Sequence, residues 1–163
     1  MKIQSPSIIT NLTVSGSFDL TESSKTSLVN QITGSLNTIY IQTGSVDEFM
    51  IMAVSDETNP LTAGKKLTFR TPYALSLYQT PRASLTSGST SGNVIVDINS
   101  GSTSILGGTK ITIDQNQRTS TTSTSPSSLA LTYLPDDTEI SVDIDSPGTS
   151  ATGLKITLYY RKG

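Results

Sequence analysis

The chain has 163 residues, a net charge of -2, and no His, Cys or Trp. Without Cys there is no disulfide, thiolate metal site or cysteine nucleophile; without His there is no Ser-His-Asp triad and no usual zinc site. The acidic balance, pI about 4.9, argues against nucleic acid, which needs clustered Lys and Arg; no apolar run approaches the roughly 18 residues of a membrane span.

Ser and Thr together make up about a third of the chain. Thr fits the pleat of a strand and Ser fits turns, so the composition favours β-structure with a thin core per strand. Such chains gain stability by packing against copies of themselves. The start, Met1-Lys2-Ile3-Gln4-Ser5-Pro6, lacks the apolar stretch of a signal peptide, so synthesis in a cytoplasm is expected.

Along the first stretch, Leu12, Val14, Phe18 and Leu20 alternate with Thr13, Ser17 and Asp19. This reads as a strand-like arm with an apolar face that so short a segment cannot bury alone. Residues 20–32 fit a short helix, with Asp19 as N-cap, Glu22 three positions on, Leu28 and Ile32 on one face, and Gly34 as the stop. A small-Gly-Ser-apolar-Asp/Asn pattern recurs at Ser15 to Asp19, Thr33 to Asn37 and Thr43 to Asp47. A short turn-strand repeat of this kind suits the shaft of a fibrous oligomer, although ordinary turns in a Ser/Thr/Gly-rich chain explain it equally well. Leu12, Val14, Phe18, Leu36, Val46 and Phe49 are therefore the expected contacts with a sister subunit or a different protein, and a trimer is the expected assembly. Asn11-Leu12-Thr13 matches a glycosylation acceptor but is discounted for want of an export signal.

From residue 51 the pattern changes. Asn59-Pro60 and Ala63-Gly64 signal turns. Leu67 to Arg70 and Tyr73 to Tyr78 read as strands separated at Pro72. Residues 94–98 and 103–113 read as two strands around Ser100-Gly101. Thr119 to Ser128 is either an edge strand or a long surface loop. Pro135-Asp136-Asp137 and Ser146-Pro147-Gly148 are turns, and Leu154 to Tyr160 is the last strand. The two-residue period expects Val94, Val96, Ile98, Ile111, Ile113, Val142, Ile144, Ile156 and Leu158 in the core. About eight strands predict an all-β, jelly-roll-like antiparallel sandwich over 51–163, preceded by an extended arm or short shaft over 1–50.

Candidate chemistry is sparse. Asp136, Asp137, Glu139, Asp143 and Asp145 form the one acidic cluster, but no loop offers the spaced oxygens of a calcium site, and a solvated polar face is the better reading. A glycosidase pair needs an acid raised in a cleft, and nothing marks a cleft. Tyr73, Tyr78, Tyr133, Tyr159 and Tyr160 offer a stacking platform for sugar or partner; by alternation one of Tyr159 and Tyr160 must face outward. No catalytic residue, metal or cofactor is expected.

Three stretches carry a resemblance: Ala53-Val54-Ser55-Asp56-Glu57; Leu67-Thr68-Phe69-Arg70-Thr71-Pro72-Tyr73-Ala74; and Arg82-Ala83-Ser84-Leu85. Val94 to Asn99, Thr103 to Leu106, Lys110 to Asp114, Asp136 to Asp145 and Ala151 to Ile156 continue it. In this order they resemble a module of bacteriophage virion proteins, especially in tailed phages of cyanobacteria and other aquatic bacteria. The resemblance covers roughly residues 50–163 and implies a structural β-domain on a virion, without catalytic residues. Such a domain often sits at the tip of a tail fibre or in a small surface protein, and the resemblance does not extend to residues 1–50. The first expectation is a small tail fibre, with residues 1–50 joined to other virion proteins and a distal head touching host-surface glycan. The alternatives are a capsid decoration protein and, from another class, a carbohydrate-binding module or glycosidase.

Overall fold

A computed structural model describes residues 46–162. The arm, the 20–32 helix, the first two Gly-Ser turns, and the contacts expected at Leu12, Val14, Phe18 and Leu36 lie outside the described residues.

Nine strands follow in chain order: β1 (Asp47–Ala53), β2 (Gly64–Arg70), β3 (Leu75–Ser84), β4 (Val94–Ser100), β5 (Thr103–Ser104), β6 (Ile111–Ile113), β7 (Tyr133–Leu134), β8 (Glu139–Pro147) and β9 (Lys155–Lys162). They form two antiparallel sheets. One has the order β1-β9-β3-β7; the other runs β2-β8-β4-β5, with β6 also paired to β4. β8 lies along the whole of β4, whereas β5 takes Asn99 and Ser100 and β6 takes Val94 to Val96. β5 and β6 are thus two halves of one edge strand. Counted as one, the eight positions read 1-8-3-6 and 2-7-4-5, the strand order of a jelly roll. The expected all-β sandwich is what the chain forms.

The alternation explains the core. On β4, Val94, Val96 and Ile98 point inward; Ile140, Val142 and Ile144 do so from β8, and Ile156, Leu158 and Tyr160 from β9. All nine residues expected from the period are buried, joined by Leu75, Leu77, Ile105, Leu134 and Leu154. The interior is almost wholly aliphatic, so its stability comes from area removed from water. Among the described residues no buried side-chain polar atom lacks a partner.

Several details differ from the sequence reading. β1 begins at Asp47, inside the stretch read as arm, because Asp47 to Ala53 pairs residue by residue with Arg161 to Lys155. The run read as one strand over 103–113 is broken, since the chain loops through Gly107-Gly108 before rejoining β4. The Ser/Thr run after Arg118 is a surface loop containing a 3-10 turn at Ser120–Thr122, capped by the Thr119 hydroxyl, which accepts from the Thr121 amide. Pro81 lies within β3, where a proline interrupts the ladder; the register against β9 shifts there.

Candidate functional site

The outer face of the four-stranded sheet concentrates aromatic and cationic side chains. Its arrangement begins with β3. The register against β9 slips between Leu77 and Gln79, and again between Gln79 and Arg82. Each slip adds one residue to β3, and bulges re-aim side chains. Two slips restore the parity, so Leu77 and Ala83 are both buried, while Tyr78 and Arg82 both reach the outer face beside Tyr159.

The result is a ladder across three strands. The Arg82 guanidinium lies over the Tyr159 ring, 5.5 Å from its centroid. Tyr159 meets Tyr78 edge to face, at 6.3 Å and 67°. The Arg161 guanidinium lies over Tyr78 at 4.9 Å, and its Nε donates to Asp47 Oδ1 at 2.6 Å. Each contact is of a favourable type, since a ring presents a negative face and a positive edge. Of the Tyr159-Tyr160 pair, Tyr159 is the outward one. Tyr160 is buried, and its hydroxyl is pushed up to about 12, first by burial and then by hydrogen bonding with Tyr73. Tyr133 stands out on β7, 57% exposed, and Tyr73 packs partly buried against the core.

Beside this ladder lies an open groove of about 270 Å³. Gln79, Thr80, Arg82, Ser120, Thr121 and Ser127 line it with polar groups; Pro81 and Pro126 add apolar rings. The loop that forms its far side is fixed locally. The Ala83 amide donates to Ser120 Oγ at 2.9 Å, and the Thr124 amide donates to Asp114 Oδ2 at 2.8 Å. Sequence reading found the tyrosines but missed Gln79, Arg82 and Arg161. The available signal was Pro81 inside an alternating stretch, which marks a bulge.

A second feature is the β1 edge. Phe49 and Ile51 face outward, 63% and 61% exposed, and Val46 just before them is 59% exposed. The two expected contacts within the described residues, Val46 and Phe49, are therefore surface groups. The opposite sheet treats its own edge differently: β2 carries Lys65 and Lys66 and a register slip between Lys65 and Leu67. Lysines and bulges are the usual protection against edge-to-edge pairing. From Phe49 to Ala53, β1 has neither.

The acidic cluster disperses. Asp137 pairs with Arg70 at 3.5 Å, both exposed, and Asp136 accepts from the Asp137 amide. Glu139 lies opposite Arg70 in the β2–β8 register. Asp143 Oδ2 accepts from Asn99 Nδ2 at 2.9 Å and Ser141 Oγ at 3.0 Å. Burial, then the Asp97 carboxylate, push the Asp145 carboxyl up, while Lys110 acts in the opposite direction. Among the described residues Asp97 is the most enclosed acid. Its Oδ2 meets Lys110 Nζ at 2.7 Å, and its Oδ1 accepts from Ser104 Oγ at 2.6 Å and from the Ile98 amide at 2.8 Å. This group ties both halves of the broken edge strand to β4. Among the described residues no set of three or more acids is placed to hold a metal ion, and no helix is long and apolar enough to cross a membrane.

No family model, curated protein or solved structure matches the chain.

Proposed function

We propose that the chain is a non-enzymatic structural protein of a bacteriophage virion, a small homo-oligomeric tail fibre whose jelly roll is the host-contact head. Residues 1–50 attach it to neighbouring virion proteins, and the assembly is a trimer made partly through residues 8–49. The observation that supports this best is the β1 edge, where Phe49 and Ile51 stay in water at the point where the attachment segment enters the sandwich. Covering what each of these side chains still exposes is worth roughly 1–2 kcal/mol, enough to favour a partner. The aromatic-arginine face supports the contact role, because Tyr and Arg dominate the energetics of protein surfaces that bind. A jelly roll by itself sets no function, though it recurs in capsid and lectin domains.

Immunogold labelling of intact phage particles tests the placement. Label at the tail tip is expected; label over the shell assigns the decoration role instead, and unlabelled particles end the virion reading. Sedimentation equilibrium of the full chain should give a trimer at micromolar concentration, weakened by Phe49→Lys. A monomer would remove the oligomer.

A further inference from the structure

We propose that the groove between the Pro81 bulge and the 120–127 loop binds an acidic saccharide, with Arg82 receiving the sugar carboxylate. The inference rests on the reading of the domain as a host-contact head and adds the site and the ligand class.

The lining carries one charge, the Arg82 cation, and no carboxylate, in a chain whose net charge is -2. None of the described carboxylates forms an ion pair with Arg82. A planar guanidinium recognises a carboxylate through two parallel hydrogen bonds, and its rigid fork favours that partner. Tyr159 seats the group by lying beneath it, so less side-chain freedom is lost on binding. Tyr159 is a positioning residue in this respect.

The rest of the lining suits a ring rich in hydroxyls. The Gln79 amide and the Ser127 hydroxyl make no side-chain hydrogen bond to other described residues. Ser120 Oγ accepts from the Ala83 amide, which leaves its proton to donate. The exposed ring of Pro126 offers apolar surface for the C–H face of a sugar. The volume, about 270 Å³, lies just below the ordinary range of small-molecule pockets, which fits one or two sugar units.

Calorimetric titration of the full chain tests this with trigalacturonate and sialyllactose, each beside its methyl ester as a neutral twin. Inorganic phosphate and a sulfated oligosaccharide serve as non-carboxylate anions. At least one acid should bind roughly ten- to a hundredfold tighter than its ester, the range of a charge-assisted hydrogen-bond pair. Arg82→Gln should lose that preference while the protein stays folded, its melting temperature lowered by no more than the few degrees that the lost contact with Tyr159 accounts for; Tyr159→Leu should weaken it in part. Equal binding of acid and ester, an unaffected Arg82→Gln protein, or no saturable heat with either acid overturns the proposal. Phosphate or the sulfated sugar binding as tightly through Arg82 also overturns it, as a general anion site. The particle labelling stands apart. Labelled virions without sugar binding sink the groove alone, and sugar binding with unlabelled virions sinks the virion placement alone.

Discussion

Tyr78 and Tyr159 meet edge to face on the outer side of the four-stranded sheet, 6.3 Å between centroids, with an arginine over each ring. The alternation of β3 puts Tyr78 on the outer face, and the register slip between Leu77 and Gln79 leaves it next to Tyr159 on β9. Its energy is measurable. An aromatic pair adds about 0.5–1.5 kcal/mol beyond area, and an exposed cation–π contact adds about 0.5–1 kcal/mol. Tyr159→Leu should therefore cost about 1–2 kcal/mol in urea unfolding. A double-mutant cycle with Tyr78→Leu should show a coupling of about 0.5–1.5 kcal/mol. Strict additivity would mean that the rings merely sit near each other.

Ile144 is 1% exposed and lies at the centre of β8. Ile144→Asp puts a charge without a partner into an aliphatic interior, which costs several kcal/mol. The domain should be unfolded at 25 °C. A protein that keeps its β-type circular dichroism and a cooperative melt would contradict the placement of this strand.

Lys110 holds Asp97 on the outer face of the other sheet, and the side chains are 30% and 12% exposed. Lys110→Met leaves that carboxylate enclosed without its cation. The cost should be about 1–3 kcal/mol, below that of breaking a fully buried pair. Adding Asp97→Asn should recover part of the loss by removing the charge that was stranded. Chemical denaturation of the three proteins decides; a double variant no better than Lys110→Met would remove the pair from the account.

Gly148 adopts φ +62°, and a Cβ there would stand 2.7 Å from Ser89 Cβ and 3.2 Å from a Val94 methyl. Ser89 cannot give way cheaply, since its buried hydroxyl donates to the Ser91 carbonyl and accepts from the Thr149 amide. Gly148→Ala should cost at least about 1–3 kcal/mol from the backbone conformation, before the clash is counted. An unchanged melting temperature would refute it.

Asp56 closes the turn after β1. Its carboxylate accepts from the Asn59 amide at 2.6 Å and the Thr58 amide at 2.9 Å. These bonds, that of Asn59 first, hold the carboxyl down from its ordinary 3.8 to about 2. A depressed folded value means stability that is fully present above the unfolded value and is lost as pH falls through the folded one. The Asp56 contribution should therefore disappear between pH 3.8 and about 2. Asp56→Ala should flatten the fall of melting temperature across that window relative to the parent; parallel curves would show that the turn does not hold the charged form.

The period of two was enough to name the core. Val94, Val96 and Ile98 alternate with polar residues, and a pleated strand has only two faces, so burial follows from local sequence. The same logic required one of Tyr159 and Tyr160 to face outward. It could not say which, because that depends on which face of β9 meets the opposite sheet. The extent of β1 was hidden for a related reason: Asp47 to Met50 became strand by pairing with a segment at the far end of the chain. The break between Ser104 and Ile111 was hidden as well, since pairing with one end of β4 or the other is decided by the sheet. The groove is the clearest case. Gln79, Arg82, Ser120 and Ser127 have no common local pattern. Two slips of register around Pro81 and a loop returning some forty residues later bring them together. Sequence determined the burial alternation and the sandwich, because those are set residue by residue. Tertiary structure alone decided the site, because it depends on how distant strands slide past one another.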